Sequence, residues 1–157
     1  MKRRFYSLFF LLLIPILFTS VFAQEEPITV KDNIYYQGGK KYSGIYKEYY
    51  ENKQVYIERQ IKKGLAHGIT TIYYENGQKK EQQSYKKGKK HGLWINWTKE
   101  SVKTAEARYQ NNRKHGKWYV WDAKETKRYE MEYKRGKKSS TWYMWDENGQ
   151  LTSTKNF

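Results

Sequence analysis

One interval governs this chain. Gly44, Gly68, Gly92 and Gly116 stand 24 residues apart, and Ser140 fills the next place in the series. His67, His91 and His115 directly precede three of those glycines and are all the histidines of the protein. The tryptophans keep the same interval: Trp94 and Trp97, Trp118 and Trp121, Trp142 and Trp145. A fixed interval of about 20–50 residues is the mark of a repeat array. A residue that recurs once per unit serves to build the unit, which weakens any reading of it as a lone catalytic group.

The second unit reads as a hairpin. Gly68 to Tyr74 is β-branched and aromatic, the composition of a strand. Asn76-Gly77 follows, and both residue types tolerate positive φ. Lys79 to Tyr85 runs back, and a second glycine turn ends at His91. The returning strands alternate. Ile57, Ile61, Tyr85, Ala105, Ala107, Tyr109, Tyr129, Met131 and Tyr133 share one face, while Glu58, Gln60, Gln82, Ser84, Glu106, Arg108, Glu130 and Glu132 share the other. In the outgoing strands the paired rings are three apart. Either a bulge lies between them or rings cover both faces. The expected fold is all-β: an elongated antiparallel hairpin array of about five 24-residue units in a single twisted sheet of about ten strands, roughly 50 Å long. Residues 34–157 form this array, and residues 34–43 are its atypical cap.

Residues 1–23 read as a secretory signal peptide. A basic start, Lys2-Arg3-Arg4, precedes the uncharged run Phe5 to Phe22, and Val21-Phe22-Ala23 leads into polar Gln24-Glu25-Glu26. The alternative is an uncleaved membrane anchor, interrupted by Pro15. Residues 24–33 are expected to be an exposed leader. Loss of Lys2, Arg3 and Arg4 takes the formal charge from +15 to +12. There is no cysteine, so packing alone must hold the fold despite an export route that permits disulfides. The expected location is a bacterial periplasm, outer envelope or extracellular space.

The pattern Gly-x-Trp-x-x-Trp/Tyr, Glu-Asn-Gly-Gln, then Tyr-Lys-x-Gly-Lys-x-His-Gly resembles the MORN repeat in its bacterial variant form. The segments that carry it are Gly68 to Gln78, Tyr85 to Gly92, Tyr109 to Gly116 and Tyr133 to Gln150. The resemblance implies an elongated hairpin sheet with scaffolding, dimerisation or phospholipid headgroup contacts. It also implies the label often given to bacterial relatives, antitoxin of the YwqK type. The third and fourth units depart from the pattern by lacking the Asn-Gly turn, and Ser139-Ser140 replaces His-Gly in the fifth.

The histidines are not expected to bind metal. Equivalent residues lie two strands, about 9.6 Å, apart. Ligands of one zinc ion sit about 2.1 Å from it. No cofactor and no catalytic constellation is expected. Gly44, Gly68, Gly92, Gly116, His67, His91, His115 and the six tryptophans are read as structural, with the glycines in turns.

Charge is the more informative signal. One set of turns carries Lys62, Lys63, Lys86, Lys87, Lys89, Lys90, Arg113, Lys114, Lys134, Arg135, Lys137 and Lys138, and no acid. The opposite set carries Glu51, Glu75, Glu100, Asp122, Glu125, Asp146 and Glu147 against Lys53, Lys99 and Lys124. In a hairpin sheet one edge is therefore strongly cationic and the other acidic. Such an edge suits an anionic lipid or polysaccharide of the envelope. Alternatively, the lysines keep a flat sheet soluble. The expected function is a non-catalytic binding or scaffolding module, for anionic envelope surfaces or for a protein partner. The second reading is an antitoxin or immunity-like inhibitor acting through its aromatic face. Self-association through edge strands is a further expectation. Export disfavours nucleic acid.

Overall fold

A computed structural model describes residues 26–157. The expected signal segment and the first two leader residues lie outside them. Three strands form a small antiparallel sheet: β1 (Ile28–Lys31), β2 (Ile34–Gln37) and β3 (Lys40–Lys41). The array follows with β4 (Gly44–Tyr49), β5 (Val55–Lys62), β6 (Leu65–Tyr73), β7 (Lys79–Lys86), β8 (Lys89–Trp97), β9 (Lys103–Gln110), β10 (Arg113–Lys114), β11 (Gly116–Trp121), β12 (Lys127–Lys134), β13 (Lys137–Trp145) and β14 (Leu151–Asn156). These make an 11-stranded open antiparallel sheet in sequence order, with β10 a short branch on β9.

The fold is the expected all-β hairpin array, with added structure at its start. Residues 26–33 of the leader are mostly exposed, and within them Ile28–Lys31 pairs with Ile34–Gln37 as β1. The cap is a sheet of its own rather than one strand and a turn. Asp32 and Asn33, at φ 52° and 61°, make its first tight turn, and Gly38 and Gly39, at 53° and 73°, make its second. Asp and Asn enter this region at lower cost than other non-glycine residues. The cap is tied to the array through Tyr35. Its N–H donates to the Gly64 carbonyl at 2.9 Å, its ring meets the Tyr46 ring edge-on at 4.8 Å, and Arg59 donates to its hydroxyl. Tyr35 is 4% exposed.

The recurring glycines correct a second expectation. Gly68, Gly92 and Gly116 lie in bulges, not turns, while Gly44 opens β4 paired with Ile61. Between β5 and β6, Arg59 pairs with Thr70 but Ile61 pairs with Ala66, so Gln60 alone faces His67, Gly68 and Ile69. The same register shift occurs between β7 and β8 and between β12 and β13. Gly68 and Gly92 sit in the first two at φ 92° and 90°, and Gly116, at 70°, sits at the equivalent break between β10 and β11 opposite β9. A bulge demands one residue of positive φ, which is what glycine supplies. At Gly68 there is a further reason: an added Cβ would collide with the Gln60 Oε1 that accepts the Ile69 N–H. Ser140 holds the fourth bulge at φ 60° without being glycine.

The outgoing strands combine both alternatives left open for their paired rings. A register shift precedes the second ring in each unit, at Asn96/Trp97, Val120/Trp121 and Met144/Trp145. The unopposed residue lies on the returning strand. Rings also cover both faces: Trp118 packs on Tyr109 and Tyr133, whereas Trp121 packs on Tyr119.

The turns that lack Asn-Gly keep the same shape. Lys53, Gly77, Ser101, Glu125 and Gly149 are equivalent and all have positive φ, from 63° to 81°. Where residue 76 is Asn, its side chain accepts the Gln78 N–H. In the third and fourth units the support comes two residues earlier. Thr98 Oγ1 accepts the N–H of Glu100 and Val102, and Asp122 Oδ1 accepts those of Lys124 and Thr126. Asp146 Oδ1 accepts the N–H of Asn148 and Gln150 in the same way in the fifth unit, so this capping oxygen supports the turn with or without Asn-Gly.

Few side chains are enclosed. The buried apolar residues among those described are Tyr35, Ile57, Ile61 and Tyr133. Packing instead runs along one face as a column: Tyr85, Trp94, Tyr109, Trp118, Tyr133, Trp142 and Phe157, with neighbouring centroids 4.6–5.4 Å apart. That spacing follows the strand separation of about 4.8 Å. The indole N–H groups of Trp94, Trp118 and Trp142 donate to the carbonyls of Ser84, Arg108 and Glu132 at 3.0–3.1 Å. Each accepting carbonyl lies beside a bulge.

Two measurements test this account. Gly68→Ala should lower stability by about 2–3 kcal/mol, from forced positive φ and the lost Gln60 bond. Ser140→Gly should raise it by about 0.5–1 kcal/mol at the equivalent place. Urea unfolding midpoints of both variants decide the matter, and equal effects in the two would refute the bulge account. Separately, Trp118 is half-buried, so Trp118→Ala should cost about 2–3 kcal/mol, less than the about 3–5 of an enclosed ring. A cost near zero would show that the column contributes nothing.

Candidate anion-binding rim

The turns joining β5 to β6, β7 to β8, β9 to β10 and β12 to β13 share one edge of the sheet. Each is a tight turn with two successive residues of positive φ: Lys63-Gly64, Lys87-Gly88, Asn111-Asn112 and Arg135-Gly136. Each is docked on the preceding unit. Gly64, Gly88, Asn112 and Gly136 donate their N–H to the carbonyls of Tyr42, Ala66, Lys90 and Lys114 at 2.7–2.9 Å. The histidines add a second tie. His67 Nδ1 accepts the Lys87 N–H at 3.3 Å and His115 Nδ1 accepts that of Arg135 at 3.5 Å, while Ser43 Oγ does this for Lys63 at 2.8 Å. His91 breaks the series, with its Nδ1 buried and without a partner.

The twelve expected cations divide into two groups. Lys90, Lys114 and Lys138 turn onto the aromatic column. Lys90 lies 4.3 Å from the Trp94 centroid and 5.1 Å from that of Tyr109. Lys114 lies 4.4 Å from Trp118 and 4.7 Å from Tyr133. Lys138 lies 4.7 Å from Trp142 and 4.6 Å from Phe157. Such contacts contribute about 0.5–1 kcal/mol each at exposed sites. The ammonium groups of these three are engaged by rings of the column. The other nine, Lys62, Lys63, Lys86, Lys87, Lys89, Arg113, Lys134, Arg135 and Lys137, are exposed. None of the twelve takes part in an ion pair among the described residues.

The rim is not free of acid, as the turns alone suggested. The cap places Asp32 and Asn33 around a common depression with Leu65, Ala66 and Gly88. It also brings Lys41 beside Gly64. Neither was legible from the repeat, because the cap stands outside its period.

The opposite face of the sheet holds its charges differently. Tyr119 and Trp121 centroids are 5.6 Å apart, and those of Tyr143 and Trp145 are 5.9 Å apart. Lys103 Nζ stands 4.4 Å from the Trp121 centroid, and Lys127 stands 5.0 Å from Trp145. Both lysines reach this face because the preceding bulge shifts their register. Lys127 and Lys117 also bind Glu130, at 3.0 and 2.9 Å. The Lys117 hydrogen bond holds the Glu130 carboxyl below its ordinary range, against a burial effect that would raise it. Lys103 repeats this with Glu106 at 3.2 Å. On the column face, burial pushes the Tyr85 and Tyr109 phenols up, so both stay neutral at ordinary pH.

The model of the MORN repeat variant family matches residues 42–63, 66–87 and 140–157. The protein carries MORN repeat variants. The two intervening units, which the family model passes over, keep the same strands, bulges and turn positions. No curated relative matches the chain.

The Glu130 cluster makes a pH prediction. A carboxyl held low by its fold adds stability above the unfolded value of about 4.3 and loses it as pH falls through the folded value. The stability difference between wild type and Glu130→Gln should therefore be largest near neutrality and shrink below about pH 4. Urea titrations at several pH values measure it. A difference independent of pH would refute the role given to Glu130.

Proposed function

We propose that this protein is an exported, non-catalytic binding module whose cationic rim holds anionic surfaces of a bacterial envelope. One observation carries the reading: nine exposed cations stand on one edge without an ion-pair partner among the described residues, while lysines elsewhere bind Glu58, Glu106 and Glu130. A chain that needed only solubility would gain as much from charges paired across strands or spread over both edges. Here the cations are concentrated, and their turns are held in place by backbone bonds to the preceding unit. The step between equivalent turns is about 9.6 Å, so one extended anion can touch several turns at once, each contact acting within the screening length of about 8 Å at physiological ionic strength. Attachment should be salt-sensitive and tolerant of the exact anion, because ammonium groups bind as point charges.

A protein partner is the second reading. Tyr129, Met144, Leu151 and Phe157 are each 36–54% exposed near the end of the array. Aromatic and methionine side chains are enriched where proteins meet.

The test replaces Lys86, Lys87, Lys134 and Lys137 by Gln, leaving Lys90 and Lys138 on their rings. Retention on phosphatidylserine vesicles and on polyuronate beads should fall at least about tenfold at low salt, since each cation near such a surface contributes about 1 kcal/mol. Replacing Glu75 and Glu147 on the other edge should not weaken it. Unchanged retention in the four-lysine variant, with native circular dichroism, would refute the rim and direct attention to the exposed apolar residues.

A further inference from the structure

One junction of the rim differs from the others. The turn between β9 and β10 has Asn111-Asn112 in place of the Lys-Gly or Arg-Gly of its equivalents, at φ 49° and 68°. It loses two features. It carries no lysine of its own at those positions, and His91 does not make the bond to it that His67 and His115 make to theirs. It gains others. Asn112 Oδ1 accepts the Lys90 N–H at 2.7 Å while its own N–H donates to the Lys90 carbonyl at 2.9 Å. This double bond to the start of β8 holds the turn beside Lys89. Arg113 lies along the next turn: a Cβ built on Gly136 would be in ordinary van der Waals contact with the Arg113 Cβ, at 3.8 Å. Arg135 precedes that glycine. The outcome is an open cleft lined by Lys89, Gln110, Asn111, Arg113 and Arg135.

Three cations and two carboxamides line this cleft, and no carboxylate does. It is the one place among the described residues where two rim guanidinium groups line a common depression. Elsewhere the exposed rim cations are lysines. That difference has chemical content. A guanidinium presents a rigid planar fork of donors that can grip two oxygens at once, and a carboxamide N–H₂ adds a neutral donor. Lysine fringes attract negative charge; this arrangement can also select its geometry.

We propose that the cleft of Lys89, Gln110, Asn111, Arg113 and Arg135 is a discrete site for a tetrahedral oxyanion, a phosphate or sulfate group. The proposal rests on reading the rim as an anion-binding edge. It adds to that reading one stereochemically defined contact within a diffuse attraction. Arg113 and Arg135 grip the oxygens, Lys89 supplies the third charge, and Gln110 and Asn111 donate from the floor of the turn. The oxyanion can be free or can belong to a polymer or a lipid headgroup, since each offers the same group.

The experiment is calorimetric titration of the full protein with inorganic phosphate and with sulfate at low salt. One saturable site is expected. Arg113→Lys with Arg135→Lys keeps every charge and should weaken binding about tenfold, because the fork is lost. Lys62→Gln with Lys63→Gln removes two charges outside the cleft and should change binding less than about twofold. Asn111→Asp tolerates the same backbone angle and should abolish binding by placing a carboxylate in the cleft. Circular dichroism verifies the fold of each variant. The proposal is overturned if phosphate binding does not saturate, if the double lysine variant binds as wild type, or if the Lys62 and Lys63 variant loses as much. The arginine-to-lysine variant separates the two readings, since a rim that acts by charge alone keeps its retention on vesicles and polyuronate. Titration with poly(glycerol phosphate) and with phosphatidic acid vesicles distinguishes polymer from headgroup as the source.

Discussion

The structure depends on aromatic rings packed edge to edge along one face of a single sheet. A sheet with no second layer offers no enclosed interior, so burial must come from neighbours within the same layer. Strand spacing of about 4.8 Å is close to the separation at which tilted or edge-on rings attract. A ring at the same height on successive strands therefore touches two others without any layer above. Tyr85, Tyr109 and Tyr133 on returning strands and Trp94, Trp118 and Trp142 on outgoing strands supply that sequence, and Phe157 ends it. Lysines close its outer side, where aliphatic stems cover apolar surface and the ammonium meets the ring.

The bulge makes the column possible. At His-Gly the outgoing strand runs ahead of its partner, which alters the backbone pairing beside it. The carbonyls of Ser84, Arg108 and Glu132 take the indole N–H of the tryptophan on the next strand. An indole in a half-buried site needs such an acceptor. Where the second unit has Thr70 instead of Trp, the chain compensates. Arg59 reaches across to Thr70 Oγ1 at 3.2 Å and to the Tyr35 hydroxyl of the cap. One missing ring is thus exchanged for a guanidinium and a folded-over tyrosine, which is why the cap sits where it does.

The same construction leaves function to the edges. Each basic turn is fixed by backbone bonds to the preceding unit, so its side chains are free to point outward. The column takes three of the twelve rim cations and leaves nine exposed. Irregularity then creates difference. A strict repeat would present an identical lysine fringe at every step. The Asn-Asn turn and the arginines beside it interrupt that fringe once, and only there do guanidinium groups line a common cleft.

How much was legible in advance differs between backbone and side chain. The 24-residue interval, the alternation of returning strands and the two kinds of turn are local patterns, so the residues alone determined the all-β hairpin array and which turns share an edge. The bulges were not legible. A glycine of positive φ looks the same in a turn and in a bulge, and only the pairing partner tells them apart. The inward swing of Lys90, Lys114 and Lys138 was hidden for a related reason: a flexible stem reaches a ring on the neighbouring strand or stays in solvent according to its local pairing. The cap's carboxylate at the rim was hidden because Asp32 falls outside the period and shares a depression with residues more than thirty positions away, such as Leu65 and Ala66. Sequence by itself determined the repeat, its strands and its two charged edges, because those follow from short-range periodicity. Tertiary structure alone decided which cations are occupied by rings and which stand together in a cleft, because that depends on register between strands.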